Sequence, residues 1–161
     1  MTHAPSSAPD ALSWRVEPET PADGPAVDDL VLAAFGPGRF AKTAERLREG
    51  ARPAHGFVIR NEGRVIGSVR LWPIRIGETP ALFLGPIAVE AESRREGMGA
   101  ALVDVCLAAA GETGVLLVGD PPYFGRFGFG PAPGARLPGP VDPRRVMWLG
   151  AGEPAGVVRV A

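Results

Sequence analysis

The stretch Arg94-Arg95-Glu96-Gly97-Met98-Gly99-Ala100 decides how this chain is read. It stands between an apolar run that ends at Val89 and the longest helix-like segment, 97–112. In that segment Met98, Ala101, Leu102, Val105, Cys106 and Ala109 fall on one face, and only Asp104 and Glu112 are charged. The pattern predicts a largely buried helix, with Cys106 in the core. The first turn of a helix carries N–H groups without intrahelical partners and the positive end of the dipole. Gly97 and Gly99 let a ligand approach that backbone closely, and Arg94 and Arg95 add positive charge. Backbone donors, dipole and guanidinium groups together make a phosphate or pyrophosphate site.

Two phosphate cradles do not fit. A P-loop needs a lysine after its last glycine, but Ala100 follows Gly99 and the only lysine is Lys42. A Rossmann fingerprint needs a third small residue where Leu102 stands, and a tight turn directly after a strand. Seven residues, 90–96, separate Val89 from Gly97. Asp120 lies 23 residues past Gly97 and imitates a ribose-binding acid, yet the upstream pattern is an antiparallel meander. A glycine pair that merely caps a helix in a plain α/β core is the bland alternative.

Upstream, Trp14 and Val16 alternate in a short strand, 13–17. Asp23 offers an N-cap and Pro25 stands in the first turn of an amphipathic helix, 24–35, whose apolar face is Val27, Leu30, Val31 and Ala34. Gly36-Pro37-Gly38 stops it, and a more polar helix is read at 41–49. The runs 57–59 and 65–69 flank Asn61-Glu62-Gly63 and predict a hairpin. The second run continues through Leu71, Trp72, Ile74 and Ile76, and 77–80 turns the chain into a third strand, 81–89. Pro86 cannot donate to a ladder, so Gly85-Pro86 predicts a bulge or an unpaired stretch. Downstream come a short buried strand, 115–118, a turn at 119–122 and the aromatic cluster Tyr123, Phe124, Phe127 and Phe129. A loop at 130–143 precedes 146–149 and 157–160, which read as a closing hairpin. No repeat is visible. The expected organisation is a loose tail, 1–12, and a single domain, 13–161.

Composition narrows the classes. Of 161 residues, 22 are Gly and 18 are Pro, a share at the edge of low complexity. The chain is nevertheless 45% hydrophobic and 22% charged, the balance of a packed globule. A net charge of −1 offers no general attraction to nucleic acid or an anionic membrane. The lone cysteine, Cys106, excludes an internal disulfide framework and a zinc cluster, and no metal site is expected. It fits a reducing compartment, the start has no signal-like pattern, and the expected location is the cytoplasm.

A third pattern, Arg/Gln-x-x-Gly-x-Gly/Ala, is met by Arg94, Gly97 and Gly99. It resembles the acetyl-coenzyme A loop of the GNAT N-acetyltransferase superfamily. The order of elements from about 13 to 160 is similar to that family: helix pair, meander, motif strand, loop, long helix, short strand, aromatic turn. The runs Leu84-Gly85-Pro86-Ile87-Ala88-Val89 and Gly119-Asp120-Pro121-Pro122-Tyr123-Phe124-Gly125-Arg126-Phe127-Gly128-Phe129 resemble one bacterial branch of predicted acetyltransferases.

The resemblance implies a mixed α/β GNAT fold, with a central, mostly antiparallel, splayed sheet flanked by helices. It implies an acyl-CoA-dependent N-acetyltransferase with acetyl-CoA as cofactor and a small-molecule or protein amine as acceptor. It also allows a homodimer. Ile87, Ala88 and Val89 would run along the pantetheine arm, amides around Arg94, Arg95, Glu96, Gly97, Met98, Gly99 and Ala100 would hold the pyrophosphate, and Phe124 would also contact the cofactor. The N–H near Val89 would be the oxyanion donor. The family's acid is a tyrosine at the position of Phe124, while the only tyrosine here is Tyr123. Either Tyr123 takes the role, or solvent protonates the thiolate, or the protein binds acyl-CoA without catalysing, as a sensor or interaction module. For the base, Glu90 continues the motif strand, and Glu78, Glu92, Asp120 and His55 are further candidates.

Overall fold

The computed structural model describes residues 14–36, 51–92 and 97–161. The chain runs through β1 (Trp14–Pro18), a 3-10 turn (Pro21–Asp23), α1 (Gly24–Phe35), β2 (His55–Asn61), β3 (Arg64–Ile76), β4 (Thr79–Leu84) and β5 (Ala88–Val89). It continues through α2 (Met98–Ala110), β6 (Val115–Val118), α3 (Pro121–Gly125), β7 (Gly130–Pro131), β8 (Ala135–Arg136), β9 (Val146–Leu149) and β10 (Gly156–Val160). The helix read at 41–49 lies outside the described residues.

The main sheet is ordered β1-β2-β3-β4-β6-β9-β7, with β5 and β10 also paired to β3. It is antiparallel except where β4 meets β6 and β8 meets β10. The alternating apolar residues of β3 divide the core between two faces. Val69 and Leu71 face α2, where Met98, Leu102 and Cys106 join Ile59, Leu84 and Leu117. On the other face Val27 and Val31 of α1 cover Val58 and Ala88. Further along, Trp72, Phe83, Leu116, Trp148 and Val158 form a third cluster. The meander β2-β3-β4 forms as its periodicity predicts.

The break at Gly85-Pro86 shapes the molecule. Leu84 pairs with Leu71 of β3 and Ala88 pairs with Ser68. Three residues therefore oppose two, which is a β-bulge. Before the break β4 pairs with β6 at Leu82↔Val115 and Phe83↔Leu116 only. Beyond it β5 stays with β3, while β6 continues beside β9 to Val118↔Val146. The two parallel strands part and a gap opens between them.

Three sequence expectations are corrected. The strands 146–149 and 157–160 form but do not pair with each other: β9 lies on β6 and β10 lies on β3. Each completes a different bare edge, because β2 covers β3 only as far as Leu71 and leaves Ile74 to Ile76 for β10. Asp23 stands at the N-cap of α1 but does not cap it. Its carboxylate instead takes Thr20 N–H at 2.8 Å, Thr20 Oγ1 at 3.0 Å and Arg60 Nη2 at 2.7 Å. The aromatic turn contains a short helix, α3, entered through Pro121 and Pro122.

Candidate active site

Beside the parting strand lies a cleft of about 290 Å³ lined by Ala34 and Phe35 of α1, Ile87, Ala88 and Val89 of the motif strand, and Gly99 of α2. Four of the sequence-derived cofactor residues thus line the same cleft. The N–H of Glu90 donates to the Ile66 carbonyl at 2.8 Å. Hydrogen-bonding direction alternates along an antiparallel strand, so the Val89 N–H points away from β3 and toward the gap.

The first turn of α2 stands across the same cleft. Gly97 has φ +77 and precedes the helix, a conformation suited to glycine. The first intrahelical bond runs from Ala101 N–H to the Gly97 carbonyl at 3.1 Å, which leaves the preceding amides in the open first turn. A Cβ on Gly97 would meet nothing within 4 Å, and one on Gly99 would lie 3.3 Å from the Tyr123 hydroxyl. The Met98 side chain is buried in the core, so this residue anchors the turn and offers only its backbone. Ala100 lies in the same turn. Arg94, Arg95 and Glu96 lie outside the described residues.

Tyr123 and Phe124 take different places. The Phe124 ring packs against Gly119 and stands edge-on to Phe129 at 6.0 Å. The Tyr123 ring lies edge-on to Phe124 at 4.9 Å and carries the Arg126 guanidinium 4.6 Å from its centroid. Its hydroxyl reaches the Gly99 turn. The polar tip beside the Gly99 turn therefore belongs to Tyr123. Phe124 supports it from the core.

Glu90 is unsuited to the role of base. Its carboxylate grips Arg64 with both oxygens, one contact being 3.1 Å, and the guanidinium holds its pKa below the usual carboxylate range. A carboxylate stabilised in its charged form is a weaker proton acceptor. Glu78 sits at the β3–β4 turn beside Arg159, eleven residues from Val89 along the chain and at the far end of β4. Glu92 and Asp120 are exposed, and exposed His55 stacks on Phe57. None of these groups lines the cleft. Sequence reasoning missed Ala34 and Phe35. Phe35 was the one with a signal, an aromatic residue just before the Gly36 stop.

Cys106 is fully buried, and burial pushes its thiol up to about 12. It is a packing residue. Among the described residues no group of His, Cys, Asp and Glu is placed to hold a metal. No helix among them is long and apolar enough to cross a membrane.

The splayed strands, the glycine-rich first turn and the aromatic helix form one constellation, and residues 24–122 match the model of the acetyltransferase (GNAT) family. The chain is a GNAT acetyltransferase. An N-acetyltransferase of Escherichia coli, YhbS, is 34% identical over 117 residues, which cover 69% of this chain and 70% of that one. The crystal structure of Escherichia coli YhbS in complex with CoA superposes with a TM-score of 0.77 and 26% identity, over 92% of this chain and 89% of that chain. A GNAT acetyltransferase from Brucella melitensis in complex with acetyl-CoA gives 0.71 and 25%, over 92% and 96%. Within this GNAT fold the parted strands β4–β5 and β6 and the α2 turn are the parts that the resemblance assigns to the cofactor.

Proposed function

We propose that this GNAT protein transfers the acetyl group of acetyl-CoA to a primary amine of a small molecule or protein by direct attack. The observation that carries the reading is the parting of β5 from β6, with Ile87, Ala88 and Val89 of the departing strand lining one cleft with Gly99 of the α2 first turn. The residues fit the cofactor. An amide-rich arm pairs with strand edges, and Ile87, Ala88 and Val89 present such an edge. The open α2 turn, with Arg94 and Arg95 before it, suits a pyrophosphate.

Acetyl-CoA supplies the activated acetyl group. Val89 N–H stabilises charge on the acetyl oxygen from the gap side. Tyr123 donates a proton to the departing thiolate. Glu90, held in its charged form by Arg64, keeps the motif strand anchored to β3 and takes no proton. The amine attacks as the free base before the thiolate leaves, its surplus proton passes to water once the C–N bond forms, and Tyr123 regains its proton from solvent. The lone buried cysteine suits a reducing compartment, and we place the reaction in the cytoplasm.

The test is release of CoA thiol, read with a chromogenic thiol reagent across a panel of amines. Cys106 is buried and stays silent in this assay. The expected result is steady amine-dependent release that Gly99→Glu abolishes, because a carboxylate there meets the phosphates by bulk and charge. Tight acetyl-CoA binding with no turnover on any amine would favour a binding module instead. No binding at all would overturn the proposal.

A further inference from the structure

We infer that Trp72 is a positioning residue for acetyl transfer, its indole N–H holding the Gly85 carbonyl and so setting the separation of β5 from β6. The inference rests on the reading that this gap takes the arm of acetyl-CoA.

The argument starts at the bulge. Gly85 donates its N–H to the Arg70 carbonyl at 2.9 Å. Its own carbonyl accepts from Trp72 Nε1 at 2.6 Å, in a buried bond. Both backbone groups of the first bulge residue are thus committed to β3, one through main chain and one through a side chain. Gly85 has φ +144, a backbone state that side-chain-bearing residues rarely adopt. In a regular ladder this carbonyl would take a backbone partner on a neighbouring strand. Satisfied by the indole, it leaves the chain fixed at the point where β4 departs from β6. Ile87, the first cleft residue of the motif strand, follows two positions later.

Trp72 is itself held in place. It is 5% exposed and pairs across the ladder with Phe83. The Arg70 guanidinium lies 6.0 Å from the indole centroid. Glu19 fixes that guanidinium through Nε at 3.0 Å and Nη2 at 2.7 Å. A line of contacts therefore runs from Glu19 through Arg70 and Trp72 to the splay point. Trp148 is a natural control. It is buried in the same cluster, and its Nε1 has no hydrogen-bond partner.

The experiment compares Trp72→Phe with Trp148→Phe in the full chain. Both lose similar volume, and only the first loses the bond to Gly85. Calorimetric titration with acetyl-CoA should show Kd weakened about tenfold in Trp72→Phe and unchanged within about twofold in Trp148→Phe, with KM following Kd and kcat little altered. Equal affinity in the two variants would overturn the inference. A second measurement needs only the wild-type protein. The three indole N–H resonances are followed as CoA is added, and the Trp72 signal should shift while those of Trp14 and Trp148 stay. A Trp72 signal that does not move in protein that binds CoA overturns the inference, whether or not the variants fold. Wild-type protein that bound no acetyl-CoA would instead overturn the acetyltransferase reading beneath it.

Discussion

Tyr123 brings its hydroxyl to the first turn of α2 because its neighbour Phe124 takes the inward position against Gly119. The exchange moves the polar atom by one residue along a single helical turn, not away from the cleft. Positioned general acids contribute about 10²–10⁴-fold. A thiolate is a tolerable leaving group, which argues for the low end of that range. Tyr123→Phe should therefore lower kcat by about 10²-fold and leave KM for acetyl-CoA within about twofold. Steady-state kinetics on an accepted amine checks this, and a change confined to KM would assign Tyr123 to binding.

At the scale of elements, α1 is tied to the sheet at its entry and lines the cleft at its exit. The entry tie is Asp23, buried and bonded to Arg60, which also takes Glu17 at 2.7 Å. The Arg60 hydrogen bond is the main reason that the Asp23 carboxyl falls from 3.8 to about 2. The group binds its proton more readily in the unfolded chain than in the folded one. Its contribution is thus complete above the unfolded value and is lost as pH falls through 3.8 toward 2. That contribution is on the order of 2 kcal/mol. Urea midpoints measured from pH 5 to pH 2 should fall more steeply for wild type than for Asp23→Asn, whose side chain does not titrate. Parallel curves would show that the tie carries no charge energy. At the exit Phe35, 40% exposed, lines the cleft, with exposed Leu32 one turn behind it.

At the scale of the molecule, the sheet is two halves that share little direct pairing. β1 to β5 form one half, and β6, β9 and β7 the other. They share only two ladder pairs, between β4 and β6, and otherwise meet through side-chain packing, as where Trp72 and Phe83 join Leu116 and Trp148. A ligand seated between the halves bridges them, so it stabilises the whole fold. Ligand at about 100 times Kd adds roughly 2.7 kcal/mol. For a domain of this size that is about 5–10 °C in Tm. Acetyl-CoA should produce such a shift in differential scanning fluorimetry, and NAD should not. No shift at millimolar acetyl-CoA would argue that the cleft is not the cofactor site.

Much of this was legible along the chain because its causes are local. The period-two runs of β2 and β3, the missing donor at Pro86 and the one-sided apolar face of α2 each depend on near neighbours. So do the glycines at 97 and 99, and the bulge and the open helix turn follow from those residues alone. Other features depend on residues far apart in sequence. The pairing of Glu90 with Arg64 is invisible until β5 is laid on β3. The separation of β9 from β10 depends on which sheet edges stand bare after β2 and β4 have paired. Tyr123 gains its place from the approach of α3 to α2, and Phe35 gains its place from the lie of α1 over β5. The sequence by itself determined most of the described strands, the two long helices, the glycine and proline joints, and the family. The tertiary structure decided which side chains reach the cleft, because reach depends on long-range packing and edge pairing.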